Sequence, residues 1–277
     1  MKLMIKHKFT ILAVLIFLVG LFVLLYPVVG SAINARNQTR VITEYNAQLV
    51  ETPNEDIIEM LEAAREWNRT LPARLNRYAL SAEEWTKYRE LLDFTGTGVM
   101  GHVEIASIGV NLPIYHGTDE SVLQIGVGHI EWSSLLVGGE GTHAVLTAHT
   151  GLPTAELFTR LDRLTYGNTF SVRVLGEILT YEVDQILVVY PNDTSALAIV
   201  EGMDYATLVT CTPYGINSHR LLVRGVRVPN AEVATHVPVV IECGCRCWVA
   251  ILALAALQLV SLALIVLILI RQQRKNK

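Results

Sequence analysis

Two uncharged apolar runs frame the chain and limit what it can fold into. Phe9 to Val29 carries 21 residues without a charge, and Trp248 to Ile270 carries 23. An α-helix needs about 20 apolar residues to cross the hydrocarbon core of a bilayer, so each run is long enough to span it once. Lys2, Lys6 and Lys8 precede the first run, and Arg271, Arg274, Lys275 and Lys277 follow the second. Basic residues beside spans stay on the cytoplasmic side, which predicts both termini inside and everything between them outside. The competing reading of the first run is a cleaved signal peptide, with Gly30-Ser31-Ala32 as its small-residue site. A signal core is about 7–15 residues long, and the greater length here favours an uncleaved anchor.

The intervening part differs sharply in composition. All 26 Asp and Glu lie between residues 30 and 245, against 14 Lys and Arg there, a net −12 (14 − 26). An acidic domain has no electrostatic footprint for nucleic acid. With 51% hydrophobic and 17% charged residues overall, the chain is not a disordered one either. Of four cysteines, only Cys211 lies in the globular part, so it has no disulfide partner there. Cys243, Cys245 and Cys247 sit together at the outer edge of the second run. They lack the second Cys/His cluster of a zinc site and read as small residues at a membrane boundary, or as a place for redox pairing or acylation.

Residues 34–95 read as helical. Asn54 is a candidate N-cap, with Glu55 and Asp56 in the first turn, and Ile57, Leu61, Ala64 and Leu71 recur at helical spacing up to Pro72. A second helix opens with the capping box Ser81-x-x-Glu84 and places Trp85, Tyr88 and Leu92 on one face. Neither helix can bury much alone, so both are expected to lie against something larger. The pattern turns to strands after Gly96-Thr97-Gly98, with Val103, Ile105, Ile108 and Val110 opening a β-rich part. Further strands are expected at 144–147, 169–175, 178–190, 206–212 and 220–228, with Gly176-Glu177 as a two-residue hairpin. A short helix is expected after Pro153, with Leu157, Phe158, Leu161 and Leu164 facing the core. Many short strands with few helices between them argue for an antiparallel barrel or sandwich.

Three residues stand out chemically. Cys211 closes a strand, and Arg220 opens the next after the loop 212–219. If the two strands pair, a cation lies beside a thiol, which favours the thiolate and can hold an oxyanion. The plain alternative is a small buried cysteine and a surface arginine. His149 ends another strand, and a lone Cys with a remote His is the minimum for nucleophilic acyl transfer. His102, His116, His129, His143 and His149 fall close together in sequence, but their spacing matches no zinc signature. Most of them read as structural.

The phrase Thr207-Leu-Val-Thr-Cys211, with Arg220 nine residues on and His149-Thr-Gly-Leu-Pro153 upstream, resembles the sortases. More specifically, the chain is similar to the class C sortases, the pilin polymerases of Gram-positive bacteria. Met100-Gly101, Leu112-Pro-Ile-Tyr-His-Gly-Thr118, Gly126-Val-Gly-His129, Ser133-Ser134, Leu157-Phe158, Cys211-Thr-Pro-Tyr-Gly215 and His219-Arg-Leu-Leu-Val-Arg-Gly225 carry the likeness too. It covers about residues 80–228, and a second span is typical of class C. The resemblance implies a mainly β fold: an eight-stranded sortase-type β-barrel with N-terminal helices and two flanking transmembrane helices. It implies a cysteine transpeptidase in which Cys211 attacks the Thr–Gly carbonyl of a Leu-Pro-x-Thr-Gly-like sorting signal. His149 would exchange the proton with the departing and incoming amines, and Arg220 would hold substrate and oxyanion. No cofactor or metal is implied. The partners would be a pilin or surface-protein sorting signal, an acceptor pilin lysine and the lipid bilayer.

The corresponding layout is a cytoplasmic tail at 1–8, a span at 9–29, a helical lid-like segment at 30–95 and a catalytic barrel at 96–228. A tether at 229–247, a span at 248–270 and a cytoplasmic tail at 271–277 follow. The alternatives are a sortase that attaches surface proteins to peptidoglycan and a non-catalytic membrane-anchored scaffold. One departure from the class C pattern concerns the lid, whose Asp-Pro-aromatic triplet commonly plugs the active site. Residues 30–98 contain only Pro53 and Pro72, preceded by Thr52 and Leu71, so the triplet is absent. An open site is therefore expected, and removal of residues 34–80 should change access to Cys211 little unless Trp67 or Tyr78 replaces the plug.

Overall fold

A computed structural model describes residues 2–73 and 78–230. The N-terminal helix α1 (Lys2–Glu51) contains the first apolar run, and from Val14 onward it is long and apolar enough to cross a membrane. It is the one such helix among the described residues, and Leu15, Phe22 and Val23 on it are exposed. The second apolar run and Cys243, Cys245 and Cys247 lie outside the described residues.

Residues Gly30–Glu232 form a compact unit around a closed barrel. Its strands are β1 (Val99–Ile105), β2 (Val110–His116), β3 (Val127–His129), β4 (Thr142–Thr147), β5 (Thr169–Val174), β6 (Glu177–Val189), β7 (Asp204–Thr212) and β8 (His219–Val228). They close in the order β1-β2-β3-β4-β7-β8-β6-β5. The barrel is mixed rather than antiparallel, because β2 pairs β3 and β4 pairs β7 in parallel. Parallel neighbours need a crossover. The short helix α4 (Glu120–Leu123) supplies the first, and β5 and β6 intervene before β7 returns beside β4.

Alternation explains why the strands were readable. Phe170, Val172 and Val174 on β5, like Ala206 and Leu208 on β7, face the barrel core while their neighbours face outward. The β5–β6 hairpin is shifted by one residue from its expected place. Val174 pairs with Glu177, so Leu175 and Gly176 are the turn, with φ of 45° and 85°. Two positive φ values fit a type I′ turn with glycine second. Leu175 tolerates the conformation because its side chain is buried and its N–H donates to the Tyr45 hydroxyl at 2.9 Å. Tyr45, on α1, donates in turn to the Met100 carbonyl at 3.2 Å.

The helix α2 (Asn54–Thr70) starts one residue earlier than expected. Pro53 occupies the cap position without a side-chain bond, and Asn54 is already helical. The helix α3 (Ala82–Glu90) carries the expected capping box, with Ser81 Oγ accepting from Glu84 N and Glu84 Oε2 accepting from Ser81 N. After Pro153 no α-helix forms. Leu157, Phe158, Leu161 and Leu164 are nonetheless buried, carried by successive turns and a 3₁₀ turn at Leu161–Arg163.

The helices belong to the core. Leu61, Ala64, Trp67 and Leu71 join Tyr88 and the barrel side chains in one apolar cluster. Burying a large apolar side chain is worth about 1.5–3 kcal/mol. Asn68 locks α2 to the β3–β4 connection as a strand neighbour would, donating to Leu135 O at 3.1 Å and accepting from Leu135 N at 2.7 Å. Excision of residues 34–80 would therefore remove core, which makes it a poor probe of access to Cys211.

Candidate active site

Cys211 is the penultimate residue of β7, and the register of the β7–β8 pair sets it directly opposite Arg220. On the other flank β4 runs parallel to β7, ending with Thr147 opposite Val209. Two residues further along each chain lie His149 and Cys211. The ladder continues past the end of β4, for Ala148 N donates to Val209 O at 3.2 Å and Thr210 Oγ1 donates to Ala148 O at 2.8 Å. Three neighbouring chain segments thus deliver His149, Cys211 and Arg220 to one end of the barrel.

The two threonines before the cysteine have separate tasks. Thr210 fixes the residue preceding His149, as above. Thr207 Oγ1 donates to His143 Nε2 at 2.7 Å, and His143 Nδ1 donates to Ala198 O at 2.8 Å. The hydroxyl pair therefore ties β4 and the β6–β7 connection to the strand that carries the thiol.

Successive side chains alternate across a sheet, so Val209 shares a face with Cys211, as Leu222 does with Arg220. Val209 and Leu222 form a small apolar cluster with Val145 and Leu197, bordered by Ile130, Trp132, Leu187 and Val189. The face carrying the thiol is thus apolar. Cys211 itself is half-buried and is the free cysteine among the described residues.

The loops around it are braced. Phe158 N donates to His149 O at 3.1 Å, and Gly151 N donates to Thr159 Oγ1 at 3.0 Å. Gly151 has φ of 73°, and a Cβ there would meet the Tyr214 ring at 3.0 Å, so the loops after β4 and β7 touch only because this residue is glycine. Arg220 Nη1 donates to Asn217 O at 3.3 Å and His219 O at 3.1 Å. Among the described residues no carboxylate pairs with Arg220, which leaves guanidinium donors for a ligand.

His149 does have an acidic neighbour. Its Nε2 lies 3.3 Å from Oε2 of Glu120, the first residue of α4, with side chains 27% and 68% exposed respectively. Nothing in the sequence singles out Glu120, because the β2–β3 crossover rather than any local spacing brings it to the ring. The other histidines are held in structural networks. Burial lowers His129 to about 4, and its Nε2 donates to Ser134 O at 2.9 Å. Its Nδ1 then accepts from the Tyr88 hydroxyl at 2.9 Å. His102 is also lowered to about 4, first by burial and then by Arg173. Among the described residues, no three His, Cys, Asp or Glu side chains group as a metal site would require.

The sortase domain model matches residues 103–228. Sortase D of Bacillus subtilis is 30% identical over 131 residues, covering 46% of this chain and 63% of that protein. The chain spans 47% to 63% of the length of the curated relatives it matches. Among solved structures, sortase C1 from Streptococcus agalactiae is 44% identical, with a TM-score of 0.67, covering 69% of this chain and 100% of that one. Sortase C from Streptococcus pneumoniae, whose structure is described as informing pilin substrate specificity, is 45% identical with a TM-score of 0.62. That match covers 69% of this chain and 97% of the other.

Proposed function

The chain belongs to the sortase family, and within it to the class C sortases, and from that premise we propose a membrane-anchored cysteine transpeptidase that polymerises pilins. The observation that carries the proposal is the direct pairing of Cys211 with Arg220 beside the chain that bears His149. Cys211 Sγ, as thiolate, attacks the threonine carbonyl carbon of a Leu-Pro-x-Thr-Gly-like signal. The carbonyl oxygen becomes an oxyanion against the Arg220 guanidinium, whose planar donors suit it. Collapse breaks the Thr–Gly bond, the glycine amine leaves with the proton from the His149 imidazolium, and a thioester remains on Cys211. A pilin lysine amine then attacks the thioester, gives its proton to His149 and expels the thiolate. The apolar face beside Cys211 supports an extended peptide with leucine and proline side chains.

The apolar helix α1 supports anchorage in the membrane, and the lysines before it favour an extracellular barrel. Hydroxylamine-dependent cleavage of a Leu-Pro-x-Thr-Gly peptide by the full chain is the test. We expect turnover by the wild type and none by Cys211→Ala, with an unchanged melting temperature. Turnover by Cys211→Ala near the wild-type rate would refute the mechanism. Transfer of the peptide to a pilin lysine, and not to a peptidoglycan amine, is the expected outcome when both acceptors are offered.

A further inference from the structure

We infer that Glu120 is a positioning residue for His149, holding the imidazole by its Nε2 edge. The inference rests on the cysteine–histidine reading above and deepens it. The geometry is the contact of Glu120 Oε2 with His149 Nε2 at 3.3 Å. A carboxylate only accepts, so Nε2 carries the proton in this contact. Nδ1 is then the ring atom that exchanges a proton with thiol and amine.

Glu120 is itself held in place. Gln124 Nε2 donates to Glu120 Oε1, one helical turn on, which leaves Oε2 for the histidine. The Gln124 bond and then the His149 bond keep the Glu120 carboxyl below the usual carboxylate range, so it is ionised at neutral pH. The C-terminal end of the helix under it is anchored. Gln38 Nε2 on α1 donates to Ile125 O at 2.9 Å, and Leu123 packs against Gly128 on β3. That glycine is required, for a Cβ there would lie 2.5 Å from Gly117 O. The carboxylate therefore projects from a braced element rather than from a free loop.

The consequence follows from the protonation states that the reaction needs. The reacting form pairs a Cys211 thiolate with a His149 imidazolium, since the ring must supply a proton to the leaving amine. Glu120 on α4 is the carboxylate in contact with the ring, and the strand register brings Cys211 on β7 and Arg220 on β8 to the same end of the barrel. Glu120, accepting from Nε2, fixes the orientation of the ring and leaves Nδ1 for the proton exchange. The side chain is largely exposed, so solvent screens the effect to a modest size.

The test is the pH profile of kcat/KM for the full chain and three variants, Glu120→Gln, Gln124→Ala and His149→Ala. Glu120→Gln keeps shape and removes charge. We expect a loss of about two- to fivefold near pH 7.5, carried by kcat rather than KM, at an unchanged melting temperature. Gln124→Ala should lose less. Equal rates for Glu120→Gln and wild type at every pH would overturn the inference, as would an equal loss at every pH with a lowered melting temperature. Retained turnover in His149→Ala would instead remove the reading on which the inference rests.

Discussion

Two polar regions of the molecule use histidine in opposite ways. At the junction of α3 with β3, the His129 ring is fully buried and stacked on Tyr88, with both nitrogens bonded. The Tyr88 hydroxyl also accepts from Gly117 N at 3.1 Å, and Ser133 and Ser134 accept no fewer demands: Ser133 Oγ takes Val145 N at 3.0 Å and Ser134 Oγ takes His143 N at 3.0 Å. At the barrel end, His149 is partly exposed and, among the described residues, its ring bonds to an exposed glutamate alone. Arg220 there bonds, among the described residues, to its own loop carbonyls alone. The first region satisfies its polar atoms internally, as burial demands. The second leaves donors unsatisfied, which is what a site awaiting a peptide carbonyl requires.

If that contrast is right, substitutions in the two regions should move different observables. The largest effect is expected at the barrel end. Arg220→Lys keeps the charge but loses the planar fork, and the loss of an oxyanion donor costs about 10²–10³ in rate. Peptide cleavage should fall by that factor while the melting temperature stays put; turnover within a factor of a few would make Arg220 structural. Next in size is Tyr88→Phe at the junction. It leaves His129 Nδ1 and Gly117 N without their buried partner, which costs about 1–3 kcal/mol of stability. Chemical denaturation of the full chain should show this loss, with kcat per folded molecule retained. A catalytic defect at full stability would break the division between the regions.

The sequence revealed these regions unequally. The β7 and β8 strands and their facing ends were legible because alternating apolar residues and the short intervening loop left little choice of partner. Thr207 and Thr210 were visible as motif letters, but their bonds to His143 and Ala148 were not, since those depend on β4 lying parallel to β7. Parallel pairing has no local signature, which is why the barrel was expected to be antiparallel. Glu120 was invisible for the same reason, the β2–β3 crossover being what carries it to His149. Asn54 looked like a cap because its chemistry fits one, yet Pro53 before it sets the non-helical φ and ψ at that boundary. The helical pattern after Pro153 described burial correctly and conformation incorrectly, for turns can bury the same four side chains.

Two buried histidines, His129 at that junction and His102 on β1, predict an acid sensitivity of the fold. His102 and His129 both have an affinity for protons lowered to about 4 in the folded chain, against an ordinary 6.5. Between those values the unfolded chain binds more protons, so stability is full above pH 6.5 and is lost as pH falls towards 4. At pH 5.5 each histidine accounts for about 1.4 kcal/mol of that loss. His102 is the simpler one to remove, because its buried Nδ1 has no partner among the described residues. His102→Phe should shrink the difference in stability between pH 7 and pH 5.5 by about 1.2 kcal/mol. An unchanged difference would mean that His102 is hydrated in solution.

The smallest effect is expected where the two regions meet. Tyr78 precedes α3, is half-exposed, and sets its ring edge-on to Trp132 at 5.1 Å. Trp132 borders the apolar cluster on the face of Cys211, so Tyr78 is the aromatic residue placed to act as a substitute plug. Trp67 is not available for that role, being buried in the core against Tyr88. A half-exposed aromatic contact is worth little, about 0.5 kcal/mol at the lower end for such pairs. Loss of that one ring contact is therefore expected to change access to Cys211 little. Labelling of Cys211 by a thiol reagent should accelerate less than about threefold in Tyr78→Ala. Acceleration above tenfold would assign Tyr78 a working closure of the site, and the barrel end would then be guarded by the helical region instead of standing open beside it.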